Sequence, residues 1–155
     1  MEIIRSSNGK SSKVRIVNVE AEDFGRLTRR RYFFDWKVEK RKEVYKLTLV
    51  DSPDILGLIS IERIPEEWRI HIGLLSVSAE NKGREKVYER VAGNLITFVS
   101  TIALREYGEL ACVSLRPKDA IRRHYIEKYG MHRTGITLSV DIAGIIKLID
   151  TYGYE

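Results

Sequence analysis

Two runs of basic residues are the first feature with chemical consequences. Between positions 26 and 42, Arg26, Arg29, Arg30, Arg31, Lys37, Lys40, Arg41 and Lys42 face only Asp35 and Glu39. That local excess is larger than the +5 carried by the whole 155-residue chain. A second run, Lys82, Arg84, Lys86 and Arg90, flanks Gly83. Clusters of this kind attract phosphates, in nucleic acid or in a nucleotide cofactor, and equally serve as solvated faces. Other chemistries find less support. His71, His124 and His132 lack metal-ligand spacing, so no metal is expected, and no GxSxG, Walker or GxGxxG pattern occurs. Cys112 is the single cysteine; it sits in an apolar run and reads as a packed thiol rather than a nucleophile.

Composition and periodicity say what must position these groups. With 43% hydrophobic and 32% charged residues the chain is globular rather than disordered, and its length suits one domain over 1–155 with 1–12 flexible. The first dozen residues lack the apolar core of a signal peptide. The apolar stretch 95–104 is interrupted by Thr97, Ser100 and Thr101, too short and too polar to span a bilayer. A cytoplasmic protein without a membrane partner is the expectation. Alternation over 13–19, 43–50, 55–64 and 68–79 predicts four strands, the last three a meander turning at Asp51-Ser52-Pro53-Asp54 and Pro65-Glu66-Glu67. Residues 21–40 read as one or two short helices on the flank of a sheet.

The period then changes. Val91, Leu95, Phe98, Val99, Ile102 and Ala103 share one face of a long helix over 87–107, stopped by Gly108. Residues 110–115 form a nearly continuous apolar run, as in a strand buried on both faces. A helix over 118–129, a strand over 134–140 and a helix over 141–152 with Asp141 as N-cap complete the order. A strand, a long helix and a buried strand in succession imply parallel pairing by the right-handed crossover rule. The fold class is therefore α/β (α+β by the stricter definition), with a mixed, mostly antiparallel central sheet flanked by helices.

Within that order the third meander strand reads Leu75-Ser76-Val77-Ser78-Ala79, the turn Glu80-Asn81-Lys82-Gly83-Arg84, and the helix start Arg90-Val91-Ala92-Gly93-Asn94-Leu95-Ile96. This resembles the GNAT superfamily of acyl-CoA N-acyltransferases, over roughly residues 13–140 in element order and most sharply over 74–131. In that family an L-x-V-x-P strand end precedes a basic turn, Arg/Gln-x-x-Gly-x-Gly/Ala, that opens the long helix. Anchored on the strand, the Arg/Gln falls on Lys82; anchored on the helix at Ala92, it falls on Val87. The loop thus carries an insertion, and Arg90 stands where the pattern has its glycine. A subgroup of small prokaryotic GNAT-like proteins has a loop similar to Lys86-x-Tyr88-x-x-Val91-Ala92-Gly93-Asn94. A second stretch, Ala120 to Met131, is similar to the family's A-x-x-x-Y-x-x-x-G-F, with the spacing departing by one.

The resemblance implies acetyl-CoA as cosubstrate and direct transfer of its acetyl group to an amine on a small molecule or peptide. Backbone groups at Leu75 and Val77 would hold the pantetheine, in the splay between the third meander strand and the buried strand. The start of the long helix would bind the pyrophosphate through the amides of Val91, Ala92, Gly93 and Asn94, because unsatisfied N–H groups and the positive dipole end favour anions. Lys82, Gly83 and Arg84 would complete that site, with Lys86 adding charge. Tyr125 is the expected general acid toward the departing thiolate, with His124 its rival. Tyr125 and Tyr129, four apart, also read simply as an aromatic pair packing the helix on the sheet. Glu62, Glu67, Glu80 and His71 are open as general bases, His71 alternating with Arg69 and Gly73 as if toward solvent. The alternatives are a GNAT-fold protein without catalysis and a nucleic-acid-binding module using residues 26–42.

Overall fold

A computed structural model describes residues 1–153. The chain divides into two compact units, Met1–Ser60 with Leu74–Leu95, and Ile61–Gly73 with the chain from Ile96 onward.

Alternation builds the first unit. In β2 (Ser11–Asn18), Val14 and Ile16 are buried while Lys13, Arg15 and Val17 face out, the period of a half-covered strand. β1 (Glu2–Arg5) pairs antiparallel with β2, and β2 pairs antiparallel with β3 (Glu43–Leu49), from Val14↔Leu49 to Asn18↔Tyr45. β4 (Ile55–Ile64) is buried at every position from Ile55 to Ile61, as a central strand covered on both faces must be. β5 (Arg69–Val77) follows, and the strand order is β6-β1-β2-β3-β4-β5, with β6 (Tyr88–Glu89) on the edge beside β1. The opening residues, expected to be flexible, thus contain a strand, with Ile3 fully buried. A four-residue segment is too short to show a period, so it leaves no signal in the sequence.

Residues 21–39 are three short turns: 3-10 segments at Ala21–Arg26 and Trp36–Glu39 around α1 (Arg29–Tyr32). They are held by burial rather than by helix length. Phe24, Leu27, Tyr32 and Trp36 pack with Val44, Ile55 and Leu58 into one cluster. The Tyr32 hydroxyl donates to the Ile55 carbonyl at 2.7 Å and the Trp36 indole N–H to the Tyr32 carbonyl at 3.3 Å. Burial pushes the Tyr32 phenol up to about 12.

In the second unit β5 pairs in parallel with β7 (Cys112–Leu115), from Arg69↔Cys112 to Ile72↔Leu115. β7 pairs antiparallel with β9 (Thr137–Val140), and β9 with β8 (His132–Thr134). The expected single last strand is therefore a hairpin. α2 (Val91–Tyr107) starts in the first unit and ends in the second, where Ile96, Val99 and Ala103 are fully buried. α3 (Asp119–Tyr129) ends at Gly130, and α3 and α4 (Ile142–Tyr152) both pack on β9. Asp141 occupies the N-cap position of α4, but its carboxylate makes no capping hydrogen bond. Cys112 is half-buried rather than enclosed, and burial raises its thiol pKa. Among the described residues no helix is long and apolar enough to cross a membrane. The sheet is mixed and mostly antiparallel, with helices on its flanks, as the fold class anticipated.

Candidate active site

The helix start is set four residues later than its apolar period suggested. Residues 88–89 leave the helix to form β6, because Ile4 and Arg5 of β1 offer them a strand partner. α2 then begins at Val91, and its first bond runs from the Asn94 amide to the Arg90 carbonyl at 3.0 Å. The amides of Val91, Ala92 and Gly93 precede that bond and have no acceptor within the helix. Asn94 is thus removed from the expected set of amide donors. Its side-chain nitrogen is occupied too: fully buried, Asn94 donates from Nδ2 to the Glu2 carbonyl at 2.7 Å and ties the helix start to β1, while its Oδ1 is buried without a hydrogen-bond partner among the described residues. Arg90 has φ of 81°, the left-handed backbone that glycine adopts freely and other residues rarely do. At the position where the family pattern has glycine, the backbone is glycine-like although the residue is not.

Close approach fixes the helix from beneath. A Cβ on Gly57 of β4 would stand 2.8 Å from Val91 Cγ1 and 2.9 Å from Leu95 Cδ1. The first turn of α2 therefore rests on bare backbone at Gly57. Leu75 and Val77 lie half-buried on β5, on the stretch that runs past its last pair with β7, since β7 ends at Leu115. Beyond Val77, Ser78 donates its amide to the Leu56 carbonyl at 2.9 Å.

The loop from 78 to 90 is closed by its own hydrogen bonds. Buried Asn81 donates from Nδ2 to Ser78 Oγ at 2.9 Å and accepts the Tyr88 amide on Oδ1 at 2.8 Å. The Val87 amide donates to the Glu80 carbonyl at 2.9 Å, and the Val87 carbonyl accepts the Ser6 amide at 2.9 Å. Gly83 turns with φ of 84°. Lys82 does not stand free: its ammonium lies 4.2 Å from the Phe33 ring centroid. Arg84 and Gly83 are exposed at the tip. Glu80 is engaged by Arg31, whose guanidinium also forms a two-pronged pair with Asp54 at 2.7 and 2.9 Å. That pair holds the Asp54 carboxyl below its ordinary range. Nothing local in the sequence marks Asn81, Arg31 and Asp54 for these roles, because the spacing between them carries no periodic signal.

In the second unit Tyr125 is half-buried on α3, in a cluster of rings with His124 at 6.0 Å and Tyr129 at 5.7 Å. Burial raises its phenol pKa, so it remains a neutral donor. His124 is exposed, as is Glu62 near the end of β4. His71 departs from the expected solvent-facing role: it is half-buried, with Nδ1 2.9 Å from Ser114 Oγ across the parallel β5–β7 pair. Arg69 donates to that same oxygen at 2.7 Å and also pairs with Glu67. Among the candidate bases, Glu67 and Glu80 are therefore ion-paired.

The meander, the long helix after a closed basic turn, and the parallel β5–β7 pair that β5 outruns define the fold of the GNAT acyl-CoA N-acyltransferases. Solved structures agree. The chain is similar to a GCN5-related N-acetyltransferase from Brucella melitensis (TM-score 0.66, 13% identity, covering 90% of this chain and 80% of that one). It is similar to the ribosomal-protein-S18-alanine N-acetyltransferase from Escherichia coli (TM-score 0.62, 12% identity, 84% and 94%). It is also similar to the spermidine/spermine N-acetyltransferase SpeG from Vibrio cholerae (TM-score 0.62, 11% identity, 87% and 96%). By sequence the chain matches no protein-family model and no curated protein.

Proposed function

We propose that this protein is an N-acetyltransferase that takes an acetyl group from acetyl-CoA and passes it directly to an amine. The observation that carries this reading is the construction at the start of α2. Three successive backbone amides precede the first helical bond, and Asn94, Gly57 and the glycine-like turn at Arg90 hold that end in place. A fixed, positive helix end suits a pyrophosphate. Val91, Ala92 and Gly93 would supply the amides, and Arg84 and Lys86 mobile charge. Leu75 and Val77 would offer the backbone of β5 to the pantetheine arm.

The chemistry needs few groups. A neutral amine attacks the thioester carbonyl, the carbon–nitrogen bond forms, and the carbon–sulfur bond breaks. The departing thiolate takes a proton from the Tyr125 phenol, and the amine loses its extra proton to a base. A neutral phenol suits this role because it can approach a developing anion without a charge of its own to desolvate. No side-chain nucleophile is required.

Isothermal titration with acetyl-CoA tests the proposal. Micromolar binding that is weakened when Gly93 is replaced by proline supports it. Absence of heat at high micromolar acetyl-CoA overturns it.

A further inference from the structure

Residues 87–90 stand between two structures. Val87, Val91 and Leu95 recur every four residues, and Val87-Tyr88-Glu89-Arg90 holds neither glycine nor proline, so the local sequence favours one more turn at the start of α2. The fold makes a strand and a left-handed turn of them instead: β6 at Tyr88–Glu89, then Arg90 with φ of 81°.

The contacts that oppose the helix come from residues 2–6. The Ser6 amide donates to the Val87 carbonyl at 2.9 Å. Arg5 stands opposite Tyr88 and Ile4 opposite Glu89 in the β1–β6 register. The Arg5 guanidinium donates to the Tyr88 hydroxyl at 2.9 Å and lies 5.0 Å from the centroid of its ring. Past the turn, Asn94 Nδ2 donates to the Glu2 carbonyl at 2.7 Å. Between these contacts Ile3 is fully buried and anchors the strand. Arg90 is thus held from both sides by β1, the condition under which an unfavourable backbone persists.

Strand and helix compete for the same carbonyls. In a helix running through 87–90 each amide would donate four residues back, Val91 to Val87, Ala92 to Tyr88 and Gly93 to Glu89. The Asn94–Arg90 bond is common to both states. Here the Val87 carbonyl is taken by Ser6. We infer that β1 is the positioning element for these three amides. Docked, it keeps Val91, Ala92 and Gly93 open to an anion; undocked, it lets residues 87–90 join α2 and consume them. An anion on the three amides favours the docked strand, and the docked strand favours the anion by the same factor. That the anion is the pyrophosphate of acetyl-CoA rests on the proposed function, whereas the choice between strand and helix does not.

Ser6→Pro removes the amide that holds the Val87 carbonyl, and Arg5 already has the extended backbone required before a proline. Backbone chemical shifts and amide hydrogen exchange of the whole chain without ligand read the result. The parent should show extended shifts at 88–89. The variant should show helical shifts over 87–90, with exchange at Val91, Ala92 and Gly93 slowed at least tenfold because these amides gain acceptors. Simple loosening has the opposite sign: faster exchange at 91–93 with irregular shifts at 87–90 would overturn the inference, and so would an unchanged pattern. Tyr88→Ala, which removes the Arg5 contact and favours helix over strand, should move the same signals in the same direction and serves if Ser6→Pro does not fold. Adding Arg90→Gly, which suits the left-handed turn and disfavours the helix, should restore the parent pattern, and failure to restore it counts against the switch. Calorimetry keeps the two readings apart. Acetyl-CoA should bind Ser6→Pro at least tenfold more weakly than the parent, as when the open state falls below about a tenth of the molecules. Undiminished binding by a variant with a helical 87–90 would overturn the positioning role. A parent that does not bind acetyl-CoA would overturn the proposed function and leave the strand–helix choice to be judged by the shifts and exchange.

Discussion

The amide of Asn94 closes the first turn of α2 on the carbonyl of Arg90 at 3.0 Å, and Arg90 itself has φ of 81°. A left-handed arginine therefore opens the helix on which the proposed cofactor site is built. In ordinary backbone alanine is more stable than glycine; at positive φ the order reverses, because the Cβ of any L-residue meets the following carbonyl. Arg90→Gly should exceed Arg90→Ala in stability by about 1 kcal/mol. Urea denaturation of the two variants measures this, and a more stable alanine variant would mean that the turn relaxes to negative φ.

Gly57 makes a second demand on the same helix. Gly57→Ala places a methyl within 2.8–2.9 Å of Val91 and Leu95, and the side chains or the helix must shift. The expected cost is about 1–3 kcal/mol, as for other overpacked cores. Val91→Ala in the Gly57→Ala background should recover part of it. A double-mutant cycle reads that coupling, and strict additivity would show that the two residues do not meet.

Tyr125→Phe keeps the ring and removes the proton. If the phenol is the general acid, kcat falls by about 10²–10⁴-fold while acetyl-CoA affinity is unchanged. The sign of the pH effect follows from burial, which disfavours the phenolate and raises the pKa. A general acid works below its pKa, so the alkaline limb of turnover by the parent protein should then lie above the usual phenol value of about 10. Initial rates from neutral to alkaline pH check this, and unchanged turnover in the variant would remove Tyr125 from the mechanism.

Acid stability should depend on Asp23. Burial alone would raise its pKa, but hydrogen bonds from Lys46 at 2.6 Å, the Glu20 amide at 2.8 Å and Arg26 at 2.7 Å outweigh it and lower it. A carboxylate with a depressed folded pKa stabilises the protein above the unfolded value of about 4, and that contribution is lost as pH falls through the folded pKa. Asp23→Asn should cost about 3 kcal/mol at neutral pH, because it leaves Lys46 half-buried without its counter-charge. It should also flatten the stability curve below pH ~4. Chemical denaturation at several pH values tests both.

His71 should have a defined tautomer. Arg69 donates to Ser114 Oγ, which keeps one lone pair and one proton to offer His71 Nδ1; the expected arrangement puts the hydroxyl proton on that contact, with the hydrogen of the neutral ring on Nε2. Nitrogen chemical shifts of the imidazole report this directly. In Ser114→Ala the preference should weaken, and a proton on Nδ1 in the parent protein would reverse the assignment.

Much of this arrangement is legible in local patterns. The meander, the long helix, the buried strand and the helix ending at Gly130 each follow from a period of two or near 3.6 and from a terminating glycine or proline turn. The fold class follows from their order. The positions singled out along β5 and at the helix start are also local, since a turn before a helix is visible in a few consecutive residues. What local pattern does not show is competition between partners. Residues 87–90 have helical neighbours, yet β1 draws 88–89 into a strand. Lys82 reads as a free cation in the sequence, yet it rests on Phe33.

The sequence by itself determined the elements, their order and the excess of positive charge, because hydrophobic period and residue type are properties of neighbours along the chain. Only the tertiary structure decided which charges are spent. Arg31 is bound to Asp54 and Glu80, and Asn94 to Glu2, through pairs separated by 23, 49 and 92 positions. Arg30, Lys37, Lys40 and Arg41 are left exposed. Whether a cation serves as a structural tie or as a surface for a partner depends on what lies within about 3 Å of it, and that distance is fixed only when the chain has folded.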